Sequence, residues 1–156
     1  MYDRILVPVD GSEASNRGLD EAIRLARHLG SRLKLIHVVN ELFLMRSDGV
    51  YNDYPTLIEA ARAAGRNVLQ AAQARLAAAG MNEETEMIEC VSARAADVIL
   101  AHAREWGADL LVIGTHGRRG LRRLALGSDA ETILRMSPIP VLLVRAAKSE
   151  EGAVAR

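Results

Sequence analysis

The sequence predicts an α/β domain with a doubly wound, five-stranded parallel sheet of order 3-2-1-4-5 and helices on both faces. Three observations predict it. Short apolar runs alternate with segments of helical period along the 156 residues, the pattern that parallel strands joined by crossover helices produce. Two of those runs, Leu110 to Ile113 and Val141 to Val144, are apolar without alternation, as expected for strands covered on both faces. Glycines gather directly after the fourth run, where a sheet of this order opens a crevice at the carboxyl ends of its strands.

In chain order, Arg4 to Val9 reads as the first strand. In the helix that follows, Leu19, Ala22, Ile23, Ala26 and Leu29 recur at steps of three and four, which puts them on one buried face; Gly30 stops it. Leu33 to Val39 is the second strand. Residues 40–55 show no clear period and include Gly49, Asn52 and Pro55, so they read as a long loop. A helix from about Thr56 to Ala79 sets Ile58, Ala61, Gly65, Val68, Ala72 and Leu76 on one side, and Gly80 follows it. Thr85 to Val91 mixes charged and apolar residues, which suits the outermost strand. The third helix presents Val98, Ile99, His102 and Trp106 as its core face. After the fourth strand, Asp109 to Ile113, the fourth helix carries Ala130, Ile133, Leu134 and Ser137 before Pro138 closes it. Val141 to Val144 is the fifth strand. No repeat or linker marks a second domain, so 1–146 reads as one domain and 147–156 as a disordered tail.

Bulk properties narrow the functional classes. Twenty Lys and Arg balance twenty Asp and Glu, so no global field would hold the chain on nucleic acid or an anionic membrane. The longest apolar runs are strand-sized, and Met1-Tyr2-Asp3-Arg4 does not open an export signal, so the cytoplasm is the expected compartment. One cysteine, Cys90, leaves no internal disulfide and no CxxC pair; packing is its expected role. No two histidines have metal-ligand spacing, so no protein-only metal site is expected. His37 is expected to pack within its strand.

The order 3-2-1-4-5 places the loop Val9-Asp10-Gly11-Ser12 beside the loop Gly114-Thr115-His116-Gly117. The second belongs to a longer pattern: Gly114, two residues, Gly117, nine residues, then Gly127-Ser128. Glycines permit positive φ and a close approach to an anion, and a helix starting near Ser128 presents unpaired amides, so a polyphosphate would fit. Arg118, Arg119, Arg122 and Arg123 lie between, with guanidinium forks suited to phosphate oxygens. His116 could donate to phosphate or be an ordinary loop histidine. The spacing matches neither the Walker A loop nor the dinucleotide GxGxxG.

On these residues the chain resembles the universal stress proteins, specifically the subgroup whose glycine-x2-glycine-x9-glycine-serine pattern marks ATP binding. The resemblance runs from Tyr2 to about Arg145. It rests on Ile5-Leu6-Val7-Pro8-Val9-Asp10-Gly11-Ser12, Leu35-Ile36-His37-Val38-Val39, the stretch Ala108 to Gly117, and Ser137-Pro138-Ile139-Pro140 leading into the last strand. It implies an adenine nucleotide alpha hydrolase-like fold. Pro8, Val9 and Asp10 would line the nucleoside end, Val38 would meet adenine, and Gly114, Gly117, Gly127 and Ser128 would hold ribose and phosphates. It also implies a homodimer through the strand 141–144. Mg²⁺ could arrive with ATP, held by phosphates and water.

Three departures qualify what the resemblance implies. Ser92-Ala93-Arg94 stands where the family places glycine before the third helix. Asp129 follows Ser128, and Glu131 lies close by; both would repel phosphate. Four arginines in the glycine loop exceed what binding requires and suggest a further acidic protein partner. Other readings stay open at this level. Ser128-Asp129-Ala130-Glu131 is also a capping box, and Asp10 could cap the first helix, as could Ser12. The leading functional expectation is an ATP-binding regulatory protein with no catalytic set, since no base accompanies Asp10 near a terminal phosphate. The alternatives are a nucleotide-free dimeric scaffold, a slow ATP hydrolase, or a site for AMP or a cyclic nucleotide.

Overall fold

In the computed structural model, which describes residues 1–41, 54–115 and 126–146, the elements run β1 (Arg4–Pro8), α1 (Glu13–Leu29), β2 (Arg32–Asn40), α2 (Tyr54–Ala78), β3 (Glu84–Cys90), α3 (Ala95–Trp106), β4 (Leu110–Gly114), α4 (Ser128–Met136) and β5 (Val141–Val144). The sheet is parallel throughout and has the order β3-β2-β1-β4-β5, as expected. Most of the expected 40–55 loop, with the glycine-loop residues His116, Gly117 and Arg118 and the tail 147–156, lies outside the described residues.

Alternation along the strands sorts the core into two layers. Ile5, Val7, Leu33, Leu35, Leu110 and Val112 face α1 and α2, where Leu19, Ala22, Ala72 and Leu76 meet them. Leu6, Ile36, Leu111 and Ile113 face α3 and α4 and pack on Ala96, Ile99, Leu100 and Ile133. Each fully buried Leu, Ile or Val contributes about 1.5–3 kcal/mol, so the three inner strands β2, β1 and β4, which carry most of them, anchor the sheet. The carboxyl ends of β1 and β4 lie side by side where the strand order reverses.

Three expectations about burial are corrected. Leu29 and Leu134, assigned to buried helix faces, are 40% and 41% exposed; Leu29 is the last residue of α1 and Leu134 lies in the last turn of α4. β5, expected to be buried from its unbroken apolar run, is only half-buried because it forms an edge of the sheet. Trp106 packs partly against the second layer, with the Arg4 guanidinium 5.9 Å from its ring centroid.

The second layer also holds a charge. Lys34, 6% exposed, points its ammonium at Glu84 (2.9 Å) and Glu86 (2.8 Å) on the neighbouring strand, and His102 Nε2 lies 3.4 Å from Glu86. Burial pulls the Lys34 ammonium down, but its hydrogen bonds to Glu86 and Glu84 outweigh that and raise it above its usual 10.5. The same bond holds the Glu86 carboxyl below its usual 4.5.

Candidate functional site

At the carboxyl end of β1 the ladder with β2 closes at Pro8↔Ile36. The next residue, Val9, is buried; its N–H donates to the Ile36 carbonyl (2.8 Å) and its own carbonyl lies 2.7 Å from His37 Nδ1. The chain then turns sharply. Gly11 sits at φ +80°, and a Cβ there would stand 3.0 Å from Val68 of α2, so both the backbone and the space call for glycine. Asp10 N–H donates to Ser15 Oγ (3.1 Å), and Asp10 Oδ1 accepts from Ser12 N–H (2.9 Å). Ser12 Oγ in turn accepts from Ser15 N–H (3.2 Å) and caps α1. The cap therefore falls to Ser12, while Asp10 braces the loop as an Asx turn.

At the end of β4, Gly114 meets the first turn of α1. A Cβ at Gly114 would stand 2.6 Å from the Ala14 carbonyl carbon and 2.7 Å from Ser15 N. Positive φ, expected to explain the pattern's glycines, does not explain this one: Gly114 is not among the residues with positive φ, and the close approach of α1 is the reason for glycine here. The buried Thr115 follows; its N–H donates to the Val144 carbonyl (2.9 Å) and its carbonyl accepts from Gly127 N–H (2.9 Å). The last bond pins the start of α4 to the end of β4.

The capping box is the second correction. Gly127, not Ser128, is the N-cap of α4, and among the described residues no side chain hydrogen-bonds into the cap; Ser128 is the first helical residue and is exposed. Gly127 has φ −62° and ψ 147°, extended geometry open to any residue, so its own backbone does not demand glycine either. Among the described residues, the amides of the first turn of α4, at the positive end of the helix dipole, therefore have no side-chain cap. Asp129 and Glu131 lie on the exposed side of that turn.

Of the expected residues, the sheet brings Pro8, Val9, Asp10, Val38, Gly114, Gly127, Ser128 and Asp129 to its carboxyl-end side. Pro8 follows Leu6, and Val38 follows Ile36, at strand alternation, so both belong to the face that α3 and α4 cover. On the β2–β3 side the rim is charged. Arg62 forms a forked pair with Glu89 (2.9 and 2.8 Å), a hydrogen bond that lowers the Glu89 carboxyl. Tyr54 donates to Glu41, and that bond raises the phenol. Cys90 is half-buried, its thiol pushed up by burial and donating to the Ala93 carbonyl.

Residues that sequence reading did not single out for the site are Ser15, His37 and Thr115. Their signal was proximity in sequence to Asp10, Val38 and Gly114, but their roles depend on bonds across 5, 28 and 12 positions, which no local pattern displays.

A comparison with known proteins converges on one group. The model of the universal stress protein family matches residues 1–145. Over 151 residues the chain is 32% identical to universal stress protein YxiE of Bacillus subtilis, covering 93% of this chain and all of that one. A crystal structure of a universal stress protein family member from Burkholderia pseudomallei is 35% identical and superposes with a TM-score of 0.74, covering 94% of this chain and 97% of that one. A universal stress protein solved in complex with cAMP is 27% identical, with a TM-score of 0.64 over 94% and 98% of the two chains.

Proposed function

This chain belongs to the universal stress protein family, and on that premise we propose that it binds an adenine nucleotide at the carboxyl ends of β1 and β4 and acts as a regulatory binding protein. One observation supports this reading above the others: among the described residues no side chain caps the amino terminus of α4, whose N-cap is Gly127, and Thr115 clamps it at the point where the strand order reverses. Backbone amides there provide donors and a partial positive charge for phosphate. Pro8, Val9, Asp10 and Val38 take the nucleoside; Gly127 and Ser128 take the phosphates, with Gly117, His116 and Arg118 completing the loop. Gly114 allows α1 and β4 to close together beneath it. Asp129 weakens phosphate binding without abolishing it.

ATP is the leading ligand because the loop is rich in arginine, and any Mg²⁺ would take its ligands from phosphates and water. The relative solved with cAMP favours a monophosphate as the second reading. Asp10, the strongest carboxylate candidate of the set, is assigned to the nucleoside end and not to the terminal phosphate, so any hydrolysis would be slow. The unpaired edge of β5, apolar and half-buried in one chain, supports a homodimer formed by pairing with a second copy, which sedimentation reads directly.

Thermal unfolding of nucleotide-stripped protein with ATP, AMP and cAMP tests the proposal. At about a hundred times its dissociation constant a ligand adds roughly 2.7 kcal/mol, a shift of about 5–10 °C for a domain of this length. No shift with any of the three would leave the nucleotide-free scaffold as the better account.

A further inference from the structure

We propose that His37 is a positioning residue: its imidazole, held in place by α2, fixes the Val9–Asp10 peptide and so presets the nucleoside end of the crevice. The inference rests on the nucleotide reading above and adds a residue to it.

The argument begins with where β1 leaves the sheet. Ladder pairing with β2 ends at Pro8, and the carbonyl one residue further on lies 2.7 Å from a side-chain nitrogen of β2, His37 Nδ1. Val9 and His37 are both buried, at 3% and 7% exposure, so a carbonyl left without its donor there would be costly. A carbonyl can only accept; Nδ1 must therefore carry the proton.

The ring is also held from the other side. A Cβ at Gly65 of α2 would stand 2.7 Å from His37 Cδ2, 3.1 Å from Nε2 and 3.0 Å from Met87 Sδ. Glycine at that position lets the α2 backbone close on the far edge of the imidazole, leaving the ring little freedom to turn away from Val9. The fixed peptide plane then orients Asp10, whose N–H meets Ser15 Oγ and whose carboxylate meets Ser12 N–H. Packing by α2 is thereby passed through one aromatic ring to the loop proposed to hold the nucleoside.

Two substitutions separate the donor from the volume. His37→Phe keeps the bulk and removes the donor; His37→Asn keeps a donor near the Nδ1 position and loses bulk. The positioning role predicts that His37→Phe weakens nucleotide affinity by about tenfold or more, while His37→Asn retains most of it even with the lower melting temperature. Affinity that simply follows melting temperature across the two variants would overturn the proposal.

Two readouts need no ligand. In wild-type protein free of nucleotide, long-range ¹H–¹⁵N spectra should show His37 protonated at Nδ1; a proton on Nε2 alone would overturn the proposal even if neither variant folds. Amide exchange at Asp10 and Ser12 should accelerate in His37→Phe and not in His37→Asn. If wild-type protein binds no nucleotide, the reading of function fails, whereas the tautomer and exchange results still decide whether His37 holds the loop.

Discussion

Replacing Gly114 with alanine should destabilise the protein before any ligand is considered. The added Cβ would lie 2.6 Å from the Ala14 carbonyl carbon, 2.7 Å from Ser15 N and 2.9 Å from Ala14 O, all backbone atoms that no rotamer change can move. Comfortable carbon contacts begin near ~3.5 Å, so the first turn of α1 would have to retreat by about 1 Å. That turn is tied to the site through Ser12 Oγ–Ser15 N and Asp10 N–Ser15 Oγ, so the retreat also disturbs the cap. Overpacking of this kind costs about 1–3 kcal/mol, reduced by the ~0.5–1 kcal/mol that alanine gains over glycine in a strand. The net loss of about 1–2 kcal/mol lowers the melting temperature by about 2–8 °C. The assay is thermal unfolding of nucleotide-free protein, with Gly18→Ala beside it. A Cβ at Gly18 would meet Gly114 N and the Ile113 carbonyl carbon at an ordinary 3.6 Å, and alanine favours the helix interior, so that variant should be neutral or slightly more stable. A Gly114→Ala protein that melts with wild type would refute the packing argument and return Gly114 to a purely ligand-facing role.

Removal of the charge in Asp129→Asn should tighten nucleotide binding about two- to fivefold, because the carboxylate sits in the first turn of α4 where phosphate would lie. Titration calorimetry reads the gain, and the ligand-free melting temperature should move the opposite way, since the same charge favours the helix end. The Lys34 cluster sets limits on stability at both extremes of pH. The Glu86 carboxyl is depressed, so its contribution is present above its usual 4.5 and lost as pH falls through the lower folded value. The Lys34 ammonium is raised, so its contribution is complete below 10.5 and lost as pH climbs through the higher folded value. Urea midpoints from acid to alkaline pH should show both limbs in wild type, and Lys34→Met should flatten them; unchanged limbs would mean that these pairs contribute nothing to folding.

Much of the fold was legible because its signals are local. The alternation of strand and helix, the unbroken apolar run 110–113 and the mixed segment 85–91 gave the strand order and the outermost position of β3, which the sheet bears out. β5 was expected to be buried from its unbroken apolar run, although the expected order already set it at an edge; in a single chain it is half-buried, since an apolar edge strand and a central strand share one composition. The crevice was legible as two loops brought together by topology, but the reasons for its residues were not. Gly114 is glycine because a helix from 100 positions earlier packs on it, and Ser128 has the sequence of a cap yet enters the helix one position too late to serve as one. The Asp10 turn was partly legible, since Asp-Gly-Ser offers two possible caps. The choice of Ser12 required the geometry of Ser15.

The central claim, that nucleotide lies between the β1 loop and the start of α4, is tested most directly by ¹H–¹⁵N spectra of the labelled protein titrated with ATP and with AMP. The account predicts saturable shifts at the amides of Val9 to Ser12 and Gly127 to Ala130, with β3 and α3 quiet. Saturating nucleotide that leaves those two groups unmoved, or that moves another surface instead, would contradict it.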